Sequence, residues 1–139
     1  MSITIRKTIE SALRKIRVLD MYSTADATQI TLGIDALNGM MQTWEANGIA
    51  VGWVPVASAN DLLPGPLEAQ NPIIYNLAIR LRPDYGATLD PDVIELAKEG
   101  VSMLRALGAN AEYNRIEYDD LPSGDSQSVG GGWREAFSR

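Results

Sequence analysis

An all-α fold is what this chain predicts: four main helices, a short β-strand or hairpin between the second and third, and an extended C-terminal arm. Three observations predict it. Apolar residues recur at spacings of three and four in four separate stretches. Caps and breakers, chiefly Thr4, Asn47-Gly48, Asn71-Pro72, Pro83 and Asp90-Pro91, stand at the ends of those stretches. One short run alone, 49–54, alternates with period two. With 139 residues, a single domain can bury about two thirds of the surface its unfolded chain exposes. The expected division is a helical core over 1–110 and a glycine-rich arm over 111–139.

The first helix covers about 4–19. Ile5, Ile9, Ala12, Leu13 and Ile16 share one face, Thr4 can cap it, and the bases take the other side. The second spans about 26–46, with Ile30, Ile34, Leu37, Met41 and Trp44 as its stripe and Asn47-Gly48 as its stop. Ile49, Val51 and Trp53 then alternate with Ala50, Gly52 and Val54. A lone strand there needs a partner from elsewhere in the chain or from a neighbour. Residues 55–66, punctuated by Pro64-Gly65-Pro66, read as a loop.

The third helix begins at Asn71-Pro72, a capping residue followed by proline in the first turn. Ile73, Ile74, Leu77, Ala78 and Leu81 form its apolar face. Pro83 should end it and push Arg82 out of the helical region. Arg80 and Arg82 suit the carbonyl end of the helix dipole. The fourth opens with Asp90-Pro91 and carries Val93, Leu96, Ala97, Gly100, Leu104 and Leu107 inward as far as Gly108. Asp92, Glu95 and Glu99 lie early in it, where the dipole tolerates acids. Beyond Asn110 the period is lost. Residues 123–132 are rich in glycine and serine, and Trp133 and Phe137 follow, four apart. A spacer ending in two aromatics resembles a tethered anchor for a pocket on another molecule.

Composition removes much chemistry. The chain has no cysteine and no histidine, which excludes disulfides, thiol nucleophiles, imidazole bases and nearly all zinc sites. The Met1 start shows no charged-then-apolar leader, and no apolar run approaches the roughly 20 residues of a membrane span. Net charge is −6, unevenly spread. Residues 1–19 hold Arg6, Lys7, Arg14, Lys15 and Arg17 against Glu10. From 18 to 79 there is no lysine or arginine, while Asp20, Asp26, Asp35, Glu45, Asp61 and Glu68 accumulate. Unlike patches of this kind either reflect chance clustering on a solvated surface or favour head-to-tail association of copies. A pI near 4.6 opposes nucleic-acid binding and suits a channel wall past which DNA must slide.

No phosphate-cradling loop is present, because the glycines at 130–132 follow no strand. Asp90-Pro91-Asp92 lacks the remaining ligands of a calcium loop and reads as a helix cap. Paired carboxylates among Glu112, Glu117, Asp119 and Asp120 are the one catalytic possibility, of the glycosidase type. No catalytic residue, cofactor or metal site is assigned.

The run YNLAIRLRPDYG at 75–86 resembles the signature helix end of the head-to-tail adaptor proteins, or tail accessory factors, of short-tailed P22-like bacteriophages. Other segments match in the same order: Ala-Leu-Arg-Lys-Ile at 12–16, Met40-Met41-Gln42-Thr43-Trp44, Gly48-Ile49-Ala50-Val51-Gly52-Trp53, and the fourth helix. The similarity covers 4–110.

It implies a helical connector at the head–tail junction of the virion, made in the host cytoplasm. The connector would join the portal protein after DNA packaging, form a twelve-fold ring with copies of itself, and retain the genome. It would present its far side to later tail proteins such as a nozzle, fibre or spike. Packaged DNA would pass through without sequence-specific contact. The family's C-terminal arm maps onto residues after Asn110, here short and glycine-rich. Interface candidates are Arg6, Arg14 and Lys15, opposite the acidic middle of a neighbour, and the aromatics Trp53, Tyr85, Trp133 and Phe137. Arg80 and Arg82 suit subunit or portal contacts, or a helix-end role alone. A structural role is expected; peptidoglycan hydrolysis, also suggested within the family, is the alternative.

Overall fold

The computed structural model describes residues 2–120. It contains four α-helices: α1 (Ile5–Lys15), α2 (Ala27–Ala46), α3 (Gln70–Tyr85) and α4 (Pro91–Asp120). A 3-10 turn, Leu67–Ala69, leads into α3. Met1–Gly108 forms one compact unit and Ala109–Arg139 a second. Among the described residues there is no strand, so the expected β element is absent.

The core of the first unit is built on the apolar face of α1. Ile5, Ile9, Ala12, Leu13 and Ile16 are all buried, as their spacing requires, against Leu37, Met40 and Met41 of α2 and Ile73, Leu77 and Leu81 of α3. Two caps are those the sequence or its chemistry provides. Thr4 accepts from the Lys7 amide at 3.2 Å, and Asp26 with Gln29 forms a reciprocal capping box at 2.8 and 3.0 Å. α1 stops short of 19 because Arg17 turns left-handed, with φ 64°, a conformation costing a non-glycine residue about 1 kcal/mol. The Val18 amide, bonded to the Leu13 carbonyl at 2.9 Å, closes the turn, and an exposed ion pair from Arg17 to Asp90 at 3.0 Å accompanies it.

Gly52 explains the missing strand. Its φ of 74° breaks the extended run at 49–54, and the backbone beyond it bonds to a side chain rather than a sheet. Asn38 of α2 accepts from the Val56 amide (3.1 Å) and the Trp53 indole (3.2 Å), and donates to the Val56 carbonyl (2.8 Å). Farther along the loop, Leu62 makes an isolated antiparallel bridge with Thr4. The Leu63 amide reaches the Ile3 carbonyl at 2.8 Å, and the Ile5 amide the Asp61 carbonyl at 2.9 Å.

α3 departs from expectation at both ends. It begins at Gln70, out of the 3-10 turn and without a side-chain cap, so Asn71 lies inside it. Pro83 does not end it, and Arg82 stays helical. A proline in the last turn forfeits one hydrogen bond, and the helix ends two residues later, where Gly86 takes the left-handed cap (φ 59°, ψ 31°). In α4, Val93, Ala97, Gly100 and Leu104 are buried, but Leu96 and Leu107 are 41% and 45% exposed. Gly108 does not stop α4, which continues to Asp120. A helical glycine costs only about 1 kcal/mol, and alanines flank this one at 106, 109 and 111. Residues 111–120 are therefore helical, not extended.

Candidate interaction surface

The connection between α1 and α2 is a clamped loop. Its anchor is Glu10, a carboxylate only 6% exposed, which accepts the Ala25 amide at 3.0 Å. Arg6 and Arg14, one helical turn to either side, approach it at 3.7 and 4.0 Å. Both arginines continue into loop backbone. Arg6 donates to the Ala25 carbonyl (3.3 Å), and Arg14 to those of Asp20 (3.1 Å) and Ser23 (2.8 Å). Asp20 completes the clamp by accepting the amides of Tyr22 and Ser23 at 2.9 and 2.7 Å. A hydrogen bond from the Ser23 hydroxyl, then the Tyr22 and Ser23 amides with the nearby Arg14 charge, hold its carboxyl below the ordinary aspartate value. Between the clamped points, Met21 and Tyr22 stand 74% and 90% exposed.

A second exposed apolar feature lies where α4 crosses the start of α3. The Gly100 backbone lies directly against Pro72: a Cβ built there would sit 2.7 Å from the proline Cβ. Asn76 bridges the two helices, donating to the carbonyls of Pro72 (2.8 Å) and Ala97 (3.1 Å). Beside this crossing is a groove of about 590 Å³, floored by Pro72 and Tyr75, walled by Leu67, Leu96 and Met103, and rimmed by Glu68 and Glu99. Leu67, Leu96 and Met103 are exposed. Lys15 lies over the Tyr75 ring, 5.1 Å from its centre, a cation–π contact.

The interface candidates named from the sequence are scattered across the unit. Arg6 and Arg14 belong to the clamp, Lys15 lies at the groove edge, and Trp53 is half-buried on Asn38. Arg80 is exposed beside Met40, Trp44 and Pro83. Trp133 and Phe137 lie outside the described residues, and the side chains of Glu112, Glu117, Asp119 and Asp120 are not among those described. The residues that define the surface, Glu10, Met21, Tyr22, Leu67 and Met103, were not singled out. An aspartate followed by two large apolar residues ahead of a capping box was the one available signal for the loop.

Arg82 and Tyr85 are half-buried, and the Arg82 Nε and the Tyr85 hydroxyl sit out of water with no hydrogen-bond partner. Burial, then the charges of Asp26 and Asp84, push the Tyr85 hydroxyl above the ordinary tyrosine value. Such a group favours the fold while protonated, and that contribution falls as pH rises past about 10. Tyr85→Phe removes both the orphaned hydroxyl and the titration. It is expected to raise stability at neutral pH by about 1 kcal/mol and to flatten the loss at alkaline pH. Urea unfolding at pH 7 and 10.5 checks both; lower stability at pH 7 would mean that the hydroxyl has a partner.

Among the described residues no three acidic side chains converge as a metal site, and no helix is long and apolar enough to cross a membrane. A family model described as P22 tail accessory factor matches residues 1–130 of the chain.

Proposed function

The chain belongs to the P22 tail accessory factor family, and from that membership we propose that it is a head-to-tail connector, structural rather than catalytic. Copies stand side by side as a twelve-fold ring on the portal once DNA is packaged. The ring holds the genome in and offers its far side to later tail proteins. The match over residues 1–130 carries this reading. Two further features support it. One chain presents a rigid apolar projection and a separate apolar groove, the kind of unlike pair that a heterologous interface uses. The net charge of −6 lets DNA pass without adhering.

The role of charge differs from a simple meeting of basic helix and acidic middle. Arg6 and Arg14 pair with Glu10, and Arg17 pairs with Asp90, all within the chain. Exposed ion pairs between copies add only about 0–1 kcal/mol each. Apolar contacts and the portal surface therefore supply most of the affinity. Electron microscopy of the purified chain mixed with portal rings of the same phage tests this directly. A second ring stacked on the portal is expected, and portals that stay bare at saturating chain concentration would refute it.

A further inference from the structure

The Met21-Tyr22 projection and the α3–α4 groove are unlike in shape and occur on the same chain. We propose that the projection of one copy seats in the groove of the next, so that the two form the repeating contact of a head-to-tail array. This rests on the connector reading and names the contact by which the ring closes.

The projection is built to be rigid in the absence of a partner. Four hydrogen bonds, two from Arg14 and two to Asp20, fix the backbone on either side of Tyr22. Glu10 braces Arg14 in turn at 4.0 Å. Because the clamp fixes the backbone beneath Met21 and Tyr22, docking has only their side-chain rotamers left to order, which lowers the cost of using them as an anchor.

The same clamp keeps the projection out of its own groove. The loop is tied to the stripe of α1 formed by Arg6, Glu10 and Arg14. Lys15, which overlies Tyr75 at the groove, points about 140° away from Glu10, the middle of that stripe, around the same helix. Each chain thus leaves both features unfilled and directed to different sides, the arrangement a heterologous contact requires.

The groove suits this occupant chemically. Its apolar walls accept the tyrosine ring and the Met21 thioether, and Glu68 or Glu99 at the rim can accept from the Tyr22 hydroxyl. The second groove along α4, lined by Ile79, Leu89, Ile94 and Val101, is apolar but holds no carboxylate. Two side chains bury some hundreds of Å² at most, below the roughly 1,200 Å² of a stable interface. The contact therefore closes a ring only where the portal adds a second surface.

The absence of cysteine from the chain allows a direct test that leaves Met21, Tyr22 and the apolar walls of the groove in place. Thr24→Cys places a thiol beside the projection, and Asn71→Cys places one at the groove; both positions are exposed. On portal rings, an equal mixture of the two variants should give cross-linked dimers with a short bis-maleimide. Either variant alone should give none, and Tyr22→Ser added to both should cut the yield at least tenfold. Rings that assemble without cross-linking in the mixture would overturn the contact while leaving the connector reading in place. Dimers from a single variant would overturn head-to-tail geometry. Portals that remain bare would dismiss both readings together.

Discussion

Alanine at Gly100 is expected to destabilise the chain by about 2 kcal/mol, although alanine is the better helix former. The added Cβ would lie 2.7 Å from the Pro72 Cβ, and 2.9 Å from both its Cγ and its backbone Cα. A proline ring on a helix cannot rotate aside, so α4 must lift from α3. Overpacking of this kind costs about 1–3 kcal/mol and belongs here at the upper end, offset by roughly 1 kcal/mol of helix propensity. Gly33→Ala should behave similarly, since its Cβ meets three carbons of the fully buried Ile9 at 2.6 to 2.8 Å. Gly39→Ala is the control. It lies six residues farther along α2 with nothing within 4 Å, and should be stabilising by up to about 1 kcal/mol. Urea midpoints for the three variants check the sign. Gly100→Ala has a further consequence, because the crossing it pries apart shapes the groove, and portal-bound rings should become sparser than the loss of stability alone explains. If Gly100→Ala proves as stabilising as Gly39→Ala, the close crossing of α3 and α4 is wrong.

The three glycines show where the sequence is legible and where it is not. All sit inside helical patterns, and nothing local separates Gly39 from Gly33 or Gly100; the side chain packed opposite decides. The apolar faces of α1 and α3 were legible because their spacing is regular and every member is buried. The helix start at Thr4 was legible because a cap is a local event, completed within three residues; α2 was placed from about 26 without its cap, Asp26, being singled out. Pro83 misled because a proline near a helix end forfeits one bond that tertiary packing outweighs, and the real stop was the left-handed Gly86. The period-two run at 49–54 misled because alternation says nothing about a partner. Asn38, eighteen residues before Val56, supplied the bonds that a sheet would have made. In α4, two of the six residues expected inward, Leu96 and Leu107, face outward. The groove beside Leu96 was hidden for that reason. Charge segregation was visible, yet three of the five N-terminal bases turned out to have acidic partners in their own chain.

Glu10→Ala is expected to lower stability by about 2 kcal/mol and to impair ring formation by more than that loss implies. The largest cost is the Ala25 amide, 3.0 Å from the Glu10 carboxylate and on a buried residue, which would be left without its acceptor. An orphaned group of this kind costs about 1–3 kcal/mol. The ion pairs add less, because Arg6 and Arg14 retain partial access to water at 3.7 and 4.0 Å from the carboxylate. Glu10→Gln separates the two contributions. It keeps an acceptor for Ala25 and removes only the charge, so it should cost about 1 kcal/mol or less. The functional consequence follows from what Glu10 braces. Without the carboxylate, Arg14 loses the charge beside it at 4.0 Å, and the bonds it makes to the Asp20 and Ser23 carbonyls must hold the side chain alone, so they open more often. Amide exchange at Tyr22 and Ser23 should then accelerate in Glu10→Ala under conditions where the helix amides of α1 and α3 remain protected. Met21 and Tyr22 would still be present, but ordering them would fall to the moment of docking, at the expense of affinity. If exchange at Tyr22 and Ser23 does not change in Glu10→Ala, the loop is rigid for some other reason, and Glu10 is only a satisfied buried acid.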